Sequence, residues 1–294
     1  MTSEHFYPPR NFGNLPPIYS DFQTAQVVIL PVPYDSTTSW KTGAREGPQA
    51  IIDASQELEL YDIDLGCEVC QVGIHTLTEV IPAMGGPEHM VQRVEEVVGE
   101  LLDKGKKLAM LGGDHSITVG AVQAARRRYP QLSVLQLDAH ADLRDQYLGT
   151  GYNSASVMRR ILEVCPAVQV GIRSLSLDEH QFISEKGLEL FYADEALLTP
   201  DSIDRIVSRL SGEVYITIDL DVFDPSIMAA VGTPQPGGMG WYEALRLLKA
   251  VAQRRRVVSF DLVELSPREG PAACAFVAAK LAYKLIGYIT LPSP

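Results

Sequence analysis

Asp138-Ala139-His140-Ala141-Asp142 and Asp219-Leu220-Asp221 place four carboxylates and an imidazole in two short segments, and Gly112-Gly113-Asp114-His115-Ser116 adds a second imidazole. Alternate side chains of an extended segment share a face, so Asp138, His140 and Asp142 can converge across the small alanines between them, and Asp219 and Asp221 repeat the device. Taken singly, each piece has a plain structural use. The two glycines would relieve crowding at a strand-to-helix turn, and Asp114, Ser116, Asp138 or Asp219 would cap a helix or a strand end. Taken together, the carboxylates would repel one another at a cost of several kcal/mol unless cations lie among them. Hard oxygen donors with one imidazole per ion suit Mn²⁺, while Zn²⁺, Co²⁺, Fe²⁺ and Ni²⁺ stay compatible and Ca²⁺ suits the imidazoles poorly. Two such ions ~3.5–4 Å apart would activate a shared water toward a trigonal carbon, which is hydrolase chemistry.

Strand-length apolar runs position these segments: Val27–Val32, Lys107–Leu111, Ser133–Leu137, Val168–Ile172, Leu188–Tyr192, Val214–Ile218, Val257–Phe260 and Leu285–Thr290. They are continuous rather than alternating, as in strands covered on both faces. Helical patterns separate them at Glu88–Lys104, Thr118–Arg128, Ala155–Val164, Leu177–Lys186, Pro200–Leu210, Tyr242–Arg254 and Pro271–Ala282, with helix starts signalled around Ser176 and at Asp201 and Ser202. Regular β-α alternation predicts a mostly parallel sheet wrapped by helices, as one domain over residues 1–294, since no linker or internal repeat interrupts it. Ligands of open α/β sheets collect at the carboxyl ends of strands. Asp114 and His115, Asp138, Asp219 and Glu264 each follow such a run, so all fall on one edge.

A chain of 294 residues that is 46% hydrophobic can bury a large core. A net charge of −12 argues against nucleic acid and anionic membranes as partners and is compatible with a small cationic substrate. Cys67 and Cys70 form a lone Cys-x-x-Cys without a second pair, which we read, with Cys165 and Cys274, as reduced thiols of a cytoplasmic protein. The segment from Met1 to Pro17 reads as neither a signal peptide nor an anchor, and no apolar run approaches the ~20 residues that span a bilayer.

With these motifs in place the chain resembles the ureohydrolase superfamily of arginases and agmatinases, most closely the prokaryotic agmatinases. The match runs from Gly43-Ala44-Arg45-Glu46-Gly47-Pro48 through Gly112–Ser116, Asp138–Asp142, Asp219–Pro225 and Gly232-Thr233-Pro234 to Ser259-Phe260-Asp261-Leu262-Val263-Glu264. The resemblance implies a single α/β/α domain with an eight-stranded, mostly parallel sheet, assembled as a homotrimer or homohexamer. It implies that His115, Asp138, Asp142 and Asp219 hold one Mn²⁺, and that His140, Asp138, Asp219 and Asp221 hold the other, with Asp138 and Asp219 bridging. Asp142 and Glu264 fall in the implied catalytic set. Glu264 would grip the substrate guanidinium through paired hydrogen bonds, and Thr233, Ser154 and Asn153 would line the substrate. The implied reaction releases urea and an amine through a tetrahedral intermediate, most simply putrescine from agmatine.

The sequence departs from the family pattern twice. Ser154, in Asn153-Ser154-Ala155-Ser156, stands where the family has a histidine that moves protons to the leaving amine, a contribution of ~10²–10⁴-fold. Ala229-Ala230-Val231 stands where Pro-Gly-Thr is usual. Alternatives to agmatine are therefore aminopropylagmatine, guanidinobutyrate or arginine as substrate, or a metal-binding homologue with little activity, for example within a hetero-oligomer. Relatives of the fold with deacetylase-like chemistry keep a mononuclear site, so six ligands argue against that class. An Asp- or Glu-lined tail pocket would favour a cationic amine, and an Arg or several hydroxyls a carboxylate. Tyr147 and Trp241 are further pocket candidates, and His180 reads as a surface residue of a helix.

Overall fold

The computed structural model describes residues 10–193 and 199–291, which leaves the first part of the segment from Met1 to Pro17 outside the described residues. In chain order the strands are β1 (Val27–Val32), β2 (Tyr61–Asp62), β3 (Cys67–Glu68), β4 (Ile74–Thr76), β5 (Lys107–Gly112), β6 (Leu132–Leu137), β7 (Ala167–Ile172), β8 (Leu190–Tyr192), β9 (Glu213–Asp219) and β10 (Arg256–Val263). The helices are α1 (Pro17–Ser20), α2 (Gly47–Ser55), α3 (Pro87–Asp103), α4 (Thr118–Arg128), α5 (Val157–Leu162), α6 (Leu177–Lys186), α7 (Pro200–Arg209), α8 (Trp241–Arg254) and α9 (Ala273–Thr290). Eight strands form one sheet in the order β4-β1-β5-β10-β9-β6-β7-β8, and β2 and β3 form a separate hairpin. Every adjacent pair in the large sheet is parallel.

The sheet divides two apolar cores. Val27 and Ile29 of β1 point into one with α2, α7, α8 and α9, while Val28 and Leu30 point into the other with α3, α4, α5 and α6. Alternate side chains of one strand thus serve opposite layers, the reason continuous apolar runs were the right signature for these strands. The result is the expected α/β/α sandwich.

Two assignments are corrected. Leu285–Thr290 is the last part of α9 and not a strand, and the helix expected to stop at Ala282 runs on to Thr290. A short, fully buried apolar run has no periodicity that separates strand from helix. The eighth strand is instead β4, a three-residue edge element whose Ile74, His75 and Thr76 pair with Val27, Val28 and Ile29 of β1. The 18-residue α9 is also the one described helix long and apolar enough by composition to cross a membrane, contrary to the expectation that no run approached that length. It is a core helix, with Leu281, Ala282, Leu285 and Ile286 fully buried. Its Tyr283 hydroxyl accepts from the Cys70 amide at 3.0 Å and donates to the Leu60 carbonyl at 2.5 Å. The α6 start at Ser176 is a capping box with Glu179, whereas α7 is capped by Thr199. All four cysteines are free.

Candidate metal centre

The centre lies beyond the carboxyl ends of β5, β6, β9 and β10, neighbouring strands of the sheet. At the end of β5 the chain passes so close to β1's extension that a Cβ on Gly113 would fall 1.8 Å from the Tyr34 carbonyl oxygen. Glycine is required there by space. Asp114 then accepts from the Thr37 amide and hydroxyl, both at 2.9 Å, and from the Ser116 amide at 3.2 Å. This buried knot aims His115 into the centre. Asp138 accepts from the His140 amide at 2.6 Å, Asp219 from the Asp221 amide at 2.9 Å, and Asp221 from the Ala139 amide at 3.0 Å, so the two Asp-rich turns brace each other.

The side chains form two groups joined at Asp138. In the inner group His115 Nδ1 lies 3.2 Å from Asp138 Oδ2, 3.3 Å from Asp142 Oδ2 and 3.5 Å from Asp219 Oδ2. In the outer group His140 Nδ1 lies 2.9 Å from Asp221 Oδ2 and 3.7 Å from Asp138 Oδ1. His115 with Asp138 and Asp219, and His140 with Asp138 and Asp221, each gather donor atoms closely enough to hold an ion. Asp142 and Glu264 are two of the few non-glycine residues with positive φ, +52° and +67°. Left-handed backbone at such residues costs ~1–3 kcal/mol and accumulates at functional sites.

The donor chemistry fits divalent cations. His115 Nδ1 is buried without a hydrogen-bond partner among the described residues, although three carboxylates face it. A lone pair surrounded by anionic oxygens needs a cation, either a proton or a metal ion. From the protein atoms alone protons would fill that place. Burial opposes a charge on His140, but Asp221 and Asp138 outweigh it and push the imidazole up to about 12. Burial and the Asp138 charge raise Asp142 to about 7. Metal ions would displace these protons.

A cavity of about 250 Å³ opens over both groups and is lined by His140, Asp142, Asp219, Ser154, Thr233 and Glu264 among others. Glu264 Oε1 accepts from the His115 amide at 2.7 Å and from the Ser154 hydroxyl at 2.9 Å. Burial and nearby Asp114 push this carboxyl up to about 8. Ser154 and Thr233 both line this cavity. Asn153 does not: it is buried off the cavity, and its Nδ2 donates to the Thr150 carbonyl at 2.6 Å, which makes it a staple of its loop. Trp241 lies apart from the cavity, stacked on Phe223 at 6.2 Å, and His180 is exposed on α6. Tyr147 does line the cavity.

Sequence reading missed the mouth and the braces. Trp40, 68% exposed, and Lys41, Arg144, Ser174, Ser176 and Glu179 complete the rim. Trp40's loop is anchored by Asp35, which accepts from the Gly43 amide at 2.8 Å and pairs with Arg45. Arg173 donates to the Asp221 carbonyl at 2.7 Å and the Gln235 carbonyl at 2.8 Å, clamping the loop that carries Thr233. No short motif marks these contacts: the Arg173 clamp joins segments 48 and 62 residues apart, and the Asp35 contacts span eight and ten residues of irregular loop.

Comparison with known proteins agrees with this geometry. A model of the arginase family matches residues 25–287. The N(1)-aminopropylagmatine ureohydrolase of Synechocystis is 40% identical over 278 residues, covering 92% of this chain and 90% of its own. The agmatinase of Pyrococcus horikoshii is 35% identical over 269 residues, covering 91% and 93%. Among solved structures, the agmatine ureohydrolase of Thermoplasma volcanium superposes with a TM-score of 0.87 at 30% identity over 95% of this chain and 94% of that one.

Proposed function

The chain belongs to the arginase family as a ureohydrolase of the agmatinase type, and within that class we propose that it uses two Mn²⁺ ions to release urea from the guanidinium end of a polyamine, N(1)-aminopropylagmatine ahead of agmatine. The observation that carries this reading is Glu264. Its Oε1 is committed to the His115 amide and Ser154, while among the described residues Oε2 has no hydrogen-bond partner and the side chain lines the cavity beside the carboxylate cluster. A guanidinium supplies paired N–H donors and the positive charge that a carboxyl raised to about 8 needs in order to ionise. The preference for the longer substrate is supported by the names of similar proteins and by the exposed Trp40 and the half-buried Tyr147 at the mouth, which would cover a methylene chain.

His115, Asp138, Asp142, Asp219, His140 and Asp221 would hold the ions, and carboxylate-rich ligation favours Mn²⁺. Bound there, the ions would supply Lewis-acid activation of a water at neutral pH. The remaining work falls to the chain. Glu264 orients the guanidinium carbon toward the metal ligands, Ser154 fixes the Glu264 rotamer, and Thr233 offers a hydroxyl at the cavity wall. Lys41 pairs with Glu269 at 3.2 Å and Arg144 lies 4.0 Å from Glu179. Arg144 with the hydroxyls of Ser174 and Ser176 is also the lining that suits a carboxylate tail, which keeps guanidinobutyrate as the second reading. With a hydroxyl at position 154, no imidazole supplies the proton that the leaving amine takes, and turnover should be slow. We place the protein in the cytoplasm as a single-domain homotrimer or homohexamer.

The test is urea release by the Mn²⁺-loaded protein from aminopropylagmatine, agmatine, arginine and guanidinobutyrate, with wild type and Ser154→His side by side. Release is expected from the two amines and should rise by ~10²-fold in the variant. No release from any guanidine by either metal-loaded form would overturn the enzyme assignment. A wild type faster than Ser154→His would overturn the role given to position 154.

A further inference from the structure

Behind His115 lies a buried polar chain with no part in substrate binding. His115 Nε2 is 2.8 Å from Thr217 Oγ1, which lies 2.6 Å from Asp261 Oδ1. Asp261 Oδ2 accepts from the Tyr215 hydroxyl at 2.7 Å and the Thr118 hydroxyl at 3.0 Å. Asp261 and Thr217 are direct partners in the register of β10 and β9, so their side chains stand on the same face of the sheet. All of these residues are buried.

The directions of the hydrogen bonds follow from counting protons. A carboxylate with three hydroxyl neighbours accepts from each, so Thr217 spends its only proton on Asp261 and must accept from His115. That requires Nε2–H, which leaves the Nδ1 lone pair facing Asp138, Asp142 and Asp219. We propose that Asp261 is a positioning residue of the centre: through Thr217 it commits His115 to the Nε2–H form and thereby strengthens binding of the ion His115 would hold. The inference rests on the two-ion reading of the centre but not on its substrate.

Asp261→Asn is the informative substitution. The amide oxygen should stay with the two hydroxyls of Tyr215 and Thr118, turning the NH₂ toward Thr217. Thr217 would then accept from the amide and donate to His115 Nε2, the wrong polarity for a ligand at Nδ1. Partners of metal-bound histidines of this kind are worth ~10–100-fold in affinity. Calorimetric titration with Mn²⁺ should therefore show one of two binding steps weakened ~10–100-fold in Asp261→Asn and Thr217→Val, with Thr217→Ser close to wild type. Zn²⁺-loaded, ¹⁵N-histidine-labelled wild type should show a slowly exchanging His115 Nε2–H that Thr217→Val loses. Unchanged Mn²⁺ affinities in Thr217→Val, or no protected Nε2–H in the wild type, would overturn the inference. If Asp261→Asn fails to fold, Thr217→Val carries the test alone. Because binding is read without turnover, a protein inactive on every guanidine would still decide it.

Discussion

Asp138 turns one carboxylate oxygen to each imidazole, Oδ2 lying 3.2 Å from His115 Nδ1 and Oδ1 3.7 Å from His140 Nδ1, so one substitution asks whether the two groups share a ligand. Asp138→Asn should impair both ions, whereas His140→Asn should leave about one ion per chain, since the inner group keeps its own donors. Metal content after dialysis against limiting Mn²⁺ separates these outcomes, and two ions retained in Asp138→Asn would exclude a bridge. Ser154→Ala removes a donor to the charged Glu264, a bond worth ~1.5–3 kcal/mol, so kcat/KM for agmatine should fall by about 10-fold or more with metal content unchanged. An unaltered kcat/KM would show that Ser154 does not hold the carboxylate. The Asp-rich turns were legible in the sequence because their candidate ligands sit two residues apart, although the extended backbone expected of them gives way to a 3₁₀ turn at Leu220–Val222 and a positive φ at Asp142. The Thr217–Asp261 brace was not, because it comes into being only when β9 and β10 pair. Its one trace is the alternation of Tyr215, Thr217 and Asp219 with Val214, Ile216 and Ile218 along a strand otherwise read as uniformly apolar.

The turn from β5 to His115 shows how an element sets the chemistry. Gly113 has backbone within 1.8 Å of where its Cβ would be, and no side-chain rotation can relieve a clash with the Tyr34 carbonyl. Gly113→Ala should therefore cost ~3 kcal/mol or more and displace His115, whereas an alanine on an open surface would be nearly neutral. Urea unfolding would measure the loss, and a midpoint within error of wild type would mean that the turn yields freely. Elements farther from the site were read less well for a related reason. The apolar run Leu285–Thr290 is buried in α9 by packing against the rest of the core, and burial alone looks alike in a strand and a helix. β4 is too short at three residues to show any period, and it exists because β1 offers it a free edge. The strands leading to the candidate ligands were recognisable because each is a long apolar run that ends at a polar turn.

At the scale of the whole molecule, the buried acids couple metal binding to stability and pH. A histidine raised from its ordinary 6.5 to about 12, as His140 is by Asp221 and Asp138 against the effect of burial, stabilises the fold fully below about pH 6.5 and loses that contribution as pH climbs toward 12. Asp142, raised to about 7 by burial and Asp138, costs nothing below about pH 4, where it is protonated folded and unfolded alike, and becomes progressively unfavourable as pH rises from about 4 through 7. Both slopes have the same sign, so metal-stripped protein should lose thermal stability between pH 6 and 9. Divalent ions bound at these residues would replace the same protons, and their apparent affinity would grow as pH rises. Ligand bound only to the folded state raises stability by RT ln(1 + [L]/Kd), so at fixed Mn²⁺ the gain in Tm should be larger at pH 8.5 than at pH 6. Scanning calorimetry of stripped and Mn²⁺-loaded protein at both pH values measures this directly. A gain that is equal at the two pH values, or larger at pH 6, would mean that the cluster binds its ions without releasing protons, and that the carboxylates and imidazoles gathered around Asp138 are not the ligands.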